Sequence, residues 1–216
     1  MASDEYILLV AKMDNLMELV DFALNNYLPR EPLHDALGTA KERDRPGVVS
    51  QVDIALRDSV SFFFRDKGGK IAACVLNSLV TVDNGSSEPQ ERLTYSPTLL
   101  KISNFLSIVK ERVDPTLVSN ASFYMEMMQL SVSPKSTGRG LAKKLIEASL
   151  ERAKQLQCAF VLAVATGYKS QALFAKCRFE SVHTLAYKDY LDNDGKPVFQ
   201  CRNSEDESAK LMLRRL

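Results

Sequence analysis

Residues 127–144 read MMQLSVSPKSTGRGLAKK, and this stretch decides the fold. It begins inside a run, 123–132, whose Met and aromatic content reads as a strand. A loop with Gly138 and Gly140 follows. An amphipathic helix is then expected over 138–157, with Ala142, Ile146, Ala153 and Leu156 on one face. The N–H groups that open a helix are unpaired, and with the helix dipole they favour an anion. Glycine has no Cβ, so an anion can come close to the backbone at Gly138 and Gly140. Arg139, Lys143 and Lys144 add positive charge at a helix end where acidic residues are normally favoured. A bound polyanion accounts for that placement; a plain turn with solvated cations is the alternative. The loop has no G-K-S/T, no third glycine at dinucleotide spacing and no acidic residue placed for a ribose. Nucleoside-triphosphate and dinucleotide loops are therefore excluded.

Outward from this loop, strands and helices alternate. Upstream, 6–11 (YILLVA) is a short apolar strand, and Asp14 or Asn15 caps a helix that Pro29 and Pro32 end. Residues 41–47 read as a polar loop, and Val48, Val49, Val52, Leu56 and Val60 as a second helix. Residues 61–65 and 70–82 form a hairpin about the turn at 66–69, and 83–91 is a polar loop. Ser96-Pro97 starts a helix with Leu99, Ile102, Leu106, Val109 and Val113 on its buried stripe. Downstream come a fully apolar strand at 159–165, a short helix at 168–177 and a strand at 181–187. A turn at 192–196, an extended stretch at 198–200 and a last strand at 211–216 complete the chain. Interleaved strands and helices without a repeat or a composition break make one α/β domain over 1–216 with a mixed sheet.

Composition narrows the function classes. The chain has 216 residues, enough for a core without disulfides or metal, and its 28 Lys+Arg against 27 Asp+Glu leave a net charge of +1. That balance gives no electrostatic reason to expect nucleic acid or an anionic membrane. Two His and four scattered Cys (Cys74, Cys158, Cys177, Cys201) argue against a protein-built metal site and for reduced structural thiols. The acidic start is unlike a secretory signal, and no apolar run is long enough to span a bilayer. A cytoplasmic location and no obligate protein partner are expected. The Met cluster at 125, 127 and 128 reads as core filler, and Val48, Phe62, Phe105 and Phe123 as either core or pocket.

The order of strand, loop with G-R-G-L-A, long helix, apolar strand and short helix ending K-C-R-F resembles the GNAT acetyltransferase superfamily. The resemblance implies the GNAT fold: a central twisted mixed sheet flanked by helices, with a splayed strand pair and a glycine loop. In that family the loop, Q/R-x-x-G-x-G/A, holds the pyrophosphate of acetyl-CoA. Here Lys135 stands at its first position and Thr137 where many members have Arg. The implied acetyl-CoA contacts are Leu130, Ser131, Val132, Thr137, Gly138, Arg139, Gly140, Leu141, Ala142, Lys143 and Ser170, with no metal. Two further segments resemble the invertebrate arylalkylamine (dopamine-type) N-acetyltransferases. PREPLHDALG at 29–38 is similar to their E-P-L-x-x-x-L-G, whose Glu is the general base; Glu31 matches it. ATGYKSQ at 165–171 is similar to their S-x-x-x-S, whose hydroxyls handle protons; Thr166 and Ser170 match. Arg178 replaces the usual Gly before Phe179. YKDY at 187–190 and GKPVF at 195–199 resemble the group's C-terminal strands.

The implied reaction is direct acetyl transfer from acetyl-CoA to a small primary amine. An alkylammonium titrates near 10.4, like Lys, so a base must take its proton at neutral pH. Charge developing on the thioester oxygen needs a donor, expected from a backbone N–H near Leu130. Ser170 is expected to protonate the departing thiolate. Read without the family, Glu31 is a solvated loop carboxylate and Thr166 and Ser170 cap a helix. The alternatives are an acetyl-CoA-binding domain without catalysis, or a transferase for polyamines or protein N-termini.

Overall fold

A computed structural model describes residues 5–82 and 95–216. Seven strands form one sheet in the order β1-β2-β3-β4-β5-β7-β6. They are β1 Tyr6–Val10, β2 Phe62–Asp66, β3 Ile71–Thr81, β4 Phe123–Val132, β5 Phe160–Ala165, β6 Glu180–Ala186 and β7 Ser208–Arg215. Every neighbouring pair is antiparallel except β4 and β5, which run parallel. That parallel ladder is short: Met125 pairs with Val161, Glu126 with Leu162 and Met127 with Ala163. β4 continues to Val132 beside β3 and β5 to Ala165 beside β7, but they no longer pair with each other, so the two strands splay at their C-terminal ends. The expected mixed sheet and splayed pair are both present.

The helices are α1 Leu16–Phe22, α2 Pro32–Leu37, α3 Lys41–Arg57, α4 Pro97–Lys110, α5 Pro115–Ser119, α6 Leu141–Gln155 and α7 Tyr168–Lys176. α6 packs Leu141, Leu145, Ile146, Leu150 and Ala153 against Met125, Met127 and Val161 on one face of the sheet. On the other face α1 and α3 cover β2 and β3 through Leu19, Val20, Val52 and Leu56. α4 covers β5 and β7 there, with Phe105 inside an aromatic cluster of Tyr187, Tyr190 and Phe199. Val48, Phe62 and Phe105 are thus core, whereas Phe123 is partly exposed.

Several expected boundaries move. Residues 41–47, read as a polar loop, are the first turns of α3. Asp44 is the reason: fully buried, it accepts hydrogen bonds from Ala40 N at 2.7 Å and Ser96 Oγ at 2.5 Å and pairs with Arg43. One carboxylate therefore reaches back to the N–H of Ala40, which precedes α3, and ties the helix to Ser96 at the start of α4. Gly47 is required in α3 because the Leu99 side chain occupies the place of a Cβ. The first long helix does not end cleanly at Pro29. After α1 the chain makes a π turn, Ala23–Tyr27, and a 3-10 turn, Leu28–Arg30. Pro32 then opens α2 rather than ending a helix, and forces Glu31 before it into an extended conformation, φ −83°, ψ 128°. Residues 198–200 form no strand; only an isolated bridge joins Leu191 to Pro197, because Phe199 turns into the aromatic cluster. α5 was not expected at all. The loop expected at 83–91 lies outside the described residues.

Candidate active site

The π turn and 3-10 turn aim two consecutive residues, Arg30 and Glu31, at the splay. Arg30 donates from Nε to Asn26 O at 2.6 Å and from Nη2 to Val132 O at 2.6 Å, fastening this turn to the free end of β4. Glu31 caps α2, its Oε2 accepting from His34 N at 2.8 Å. Its Oε1 accepts from Thr166 Oγ1 at 2.6 Å, across 135 residues of sequence. A residue that composition reads as a solvated loop carboxylate is only 5% exposed. Each carboxylate oxygen carries two lone pairs, so one acceptor position remains on each.

Around this carboxylate two cavities meet. The larger, about 670 Å³, runs from the glycine loop past the splay to the turn before β7. The smaller, about 130 Å³, lies beneath α4. Tyr27, Glu31 and Thr166 line both, so the Glu31–Thr166 bond stands at their junction. Of the residues expected from the sequence, Glu31, Leu130, Ser131, Val132, Thr137, Ala142, Thr166 and Ser170 line the larger cavity. Leu141 is buried in the core under α6 and offers the loop only its backbone. Arg139 and Lys143 are exposed and meet Glu5 at 3.7 Å and Glu147 at 3.6 Å. Tyr27, Arg30, Asp35, Cys201 and Asp206 line the cavity without having been expected; only Arg30 and Asp35 lay in the segment already singled out.

The glycine loop fits an anion. Gly138 and Gly140 both have φ +74°, the left-handed region, and no described atom lies within 4 Å of a Cβ built on either. Backbone conformation, not crowding by the protein, demands glycine here, and the concave side stays open. Gly140 caps α6, whose first turn holds no acidic residue. Thr137 Oγ1 donates to Pro134 O at 3.0 Å and fixes the loop's entry.

Ser170 is otherwise engaged. Its Oγ donates to Gly167 O at 2.7 Å and accepts from Gly167 N at 3.3 Å, closing the first turn of α7. Thr166 touches the carboxylate and Ser170 caps a helix. Tyr187 donates from its hydroxyl to Thr166 O and holds that residue in place. Burial first, then Glu31, pushes the phenols of Tyr187 and Tyr27 well above their ordinary range, so both stay neutral donors. Burial and then Asp206 push the Cys201 thiol up to about 12, which leaves no thiolate nucleophile in the cavity. Among the described residues no cluster of three or more His, Cys, Asp or Glu groups as it would around a metal ion, and no helix is long and apolar enough to cross a membrane.

No protein of curated function matches the sequence significantly. Solved structures share the fold from end to end. An arylalkylamine N-acetyltransferase 2 from Aedes aegypti superposes with a TM-score of 0.85 at 23% identity, over 97% of this chain and 98% of that one. A variant agmatine N-acetyltransferase in its apo form gives 0.83 at 22%, over 99% and 100%. A polyamine N-acetyltransferase from Drosophila melanogaster that forms N-acetylagmatine gives 0.80 at 20%, over 98% and 100%. The model of the acetyltransferase (GNAT) family matches residues 30–179, from the arginine that fastens the splay to Phe179, just before β6. With that match over more than half its length, on the splayed sheet and open glycine loop just described, the chain belongs to the GNAT acetyltransferase family.

Proposed function

We propose that the protein is an N-acetyltransferase that moves the acetyl group of acetyl-CoA to a primary amine, most suitably an arylalkylamine such as dopamine, serotonin or tryptamine. The observation that carries this reading is the buried Glu31–Thr166 hydrogen bond at the junction of two cavities. One cavity leads to an anion cradle, and the other sets apolar wall from Ile102, Leu106, Met128 and Val164 beside polar and charged side chains. Acetyl-CoA, when bound, supplies an activated acyl group on a thiol leaving group. Gly138, Gly140 and the backbone opening α6 hold its phosphates. The free edge of β4 past Met127 offers backbone donors to the thioester oxygen. Glu31 accepts the ammonium proton, directly or through one water, on an acceptor position that Thr166 and His34 leave free. Thr166 holds the carboxylate in place, and its own lone pairs can accept from the incoming amine. Ser170, if its hydroxyl leaves the helix cap, lies in the cavity to protonate the departing thiolate. Cys201 takes no part, because its thiol is held protonated, so transfer is direct and leaves no acetylated enzyme.

A polyamine or agmatine acceptor is the second reading, favoured by Asp35 and Asp206 on the larger cavity. Both acids are already engaged. Asp35 faces Arg202 at 3.4 Å, and Asp206 accepts from Tyr168 N at 2.9 Å and Asn203 Nδ2 at 3.1 Å. Engaged acids have less to offer a second cation, and the inner cavity gives an aryl group Ile102, Leu106, Met128 and Val164 to pack on, beside the polar Glu31, Gln51, Lys110 and Glu126. The four unpaired thiols suit a reducing compartment, and the proposal places the enzyme in the cytoplasm. Coenzyme A thiol release, followed with dopamine, serotonin, tryptamine, spermidine, agmatine and short peptides, tests the reading. Turnover with the arylalkylamines is expected. Acetyl-CoA binding without turnover of any amine would identify a non-catalytic binding domain instead.

A further inference from the structure

We infer that the outer edge of β1 is an interface for a second copy of this chain, paired antiparallel about a two-fold axis at Leu8. No residue of β1 lines either cavity, so the interface stands apart from the acetyl-transfer reading.

Sequence and fold disagree at β1. YILLVA at 6–11 is a continuous apolar run, the mark of a strand covered on both faces. In the fold β1 ends the sheet and is paired with β2 alone. Ile7 is 64% exposed, Leu8 41%, Leu9 37% and Val10 41%, and Met13 and Met17 just beyond are exposed as well. More exposed large apolar side chains gather between 7 and 17 than in all the rest of the described chain. The opposite edge of the sheet is guarded. β6 is bulged between Ser181 and His183, and its Glu180, Ser181 and Thr184 are polar and exposed. Bulges and charges are how an edge strand avoids pairing. β1 runs in unbroken register along β2 and carries no bulge, charge or proline.

Hydrogen-bond alternation shows which main-chain groups are open. Ala11 donates to Ser61 O at 2.8 Å, in line with the β1–β2 register. Every second residue of an antiparallel ladder bonds the same neighbour, so Ile7 and Leu9 also turn their main chain to β2. Tyr6, Leu8 and Val10 turn theirs outward. Lys12 closes this row, because its N–H donates to Asn15 Oδ1 at 3.0 Å. The open row is therefore three residues long and centred on Leu8. An antiparallel second copy with Leu8 opposite its counterpart sets Tyr6 against Val10 and Val10 against Tyr6, and each pair exchanges both main-chain bonds. Sliding the copies by two residues sets Tyr6 against Lys12, whose donor is spent. Ile7 and Leu9 meet on the other face, so every cross-strand pair is apolar and no charge meets itself at the axis. Glu5 and Lys12 flank the strand, and antiparallel pairing brings the acid of each copy to the end where the other has its base.

A two-fold consumes the open edge of both copies and leaves only the guarded β6 edges outside, so assembly stops at two. One strand and its side chains bury less than about 1,200 Å² in total, the range of weak and transient interfaces, so the dimer is reversible and micromolar. Sedimentation equilibrium of the full chain from about 1 to 500 µM spans that range. The mass should rise from that of one chain toward that of two. Leu8→Lys sets two ammonium groups together at the axis and should weaken association about tenfold or more. Cysteine cross-linking reads the register. Residues paired at the axis are about 5.5 Å apart at Cα, within disulfide reach, whereas Leu9 and its counterpart are diagonal neighbours roughly 7–8 Å apart, beyond it. Under mild oxidation Leu8→Cys should form a disulfide-linked dimer and Leu9→Cys should not. A single-chain mass at the highest concentration, a species larger than two, association undiminished in Leu8→Lys, or equal cross-linking of the two cysteine variants overturns the interface. If Leu8→Lys fails to fold, the wild-type mass and the cysteine pair decide.

Discussion

Gly140→Ala separates two roles that a glycine in this loop can have. Gly140 sits at φ +74°, and no described atom would touch an added Cβ. The cost to the folded chain is therefore backbone strain alone, about 1–2 kcal/mol for an L-residue in the left-handed region. For a chain of this size that is about 2–8 °C in Tm. The new methyl would project into open space at the cap of α6, where the phosphates are proposed to approach. Acetyl-CoA affinity should fall about tenfold, or 1.4 kcal/mol. Gly69, in the hairpin turn between β2 and β3, has φ +75° and equally open surroundings, so Gly69→Ala carries the same strain far from the loop. Thermal melts and calorimetric titration of both variants are the assay. The expected result is a similar loss of Tm in both and a loss of acetyl-CoA affinity only in Gly140→Ala. Affinity within twofold of wild type in Gly140→Ala, with Tm lowered, would show that the glycine shapes a turn and nothing more.

Thr166→Val removes the hydroxyl that Glu31 Oε1 accepts from at 2.6 Å and keeps the bulk; kcat should fall about tenfold with acetyl-CoA affinity little changed, measured by steady-state kinetics beside titration. Ser170→Ala removes the hydroxyl that bonds back to Gly167, the residue capping α7, and should cost about 1 kcal/mol of stability. If the hydroxyl also protonates the thiolate, kcat falls as well, and a melt paired with an initial-rate assay separates the two contributions. Burial holds His34 below its ordinary value of 6.5, against the opposing pull of Glu31 and Asp44. The unfolded chain then takes the proton first, so this share of stability is complete above about pH 6.5 and is lost as pH falls toward the lower folded value. His34→Gln should accordingly lose less Tm than wild type between pH 7 and pH 5.

The sequence made the sheet side of the site legible because a splayed strand, a glycine loop and a long helix leave periodic and compositional marks. Thr137, Gly138, Gly140 and Ala142 could be named from spacing and resemblance together. The acceptor side left weaker marks. Glu31 looked like a solvated loop carboxylate, and only the resemblance singled it out. Its burial depends on a π turn and on Thr166, 135 residues away, which no local pattern encodes. The loop reading of 41–47 failed for a related reason: Asp44 is polar in composition but buried in fact, and its partner Ser96 lies 52 residues on. The resemblance assigned the thiolate's proton to Ser170, but hydrogen-bond geometry puts Thr166 on the Glu31 carboxylate and engages Ser170 with Gly167. Cys201, Asp206 and Lys110 carried no motif, and only tertiary folding brings them to the cavities.

The claim on which the account turns is that Glu31 takes the proton from the amine. Its most direct test is the pH–rate profile of Glu31→Gln with an arylalkylamine between pH 6 and pH 9. The variant keeps the shape and one acceptor oxygen but cannot be protonated by the substrate. The account predicts a kcat reduced by about 10²–10⁴, roughly 3–5 kcal/mol of barrier, with loss of the acidic limb. Partial recovery is expected toward high pH, where solvent supplies the free amine. Near wild-type rates across that range would make Glu31 a helix cap and no more, and would contradict the mechanism.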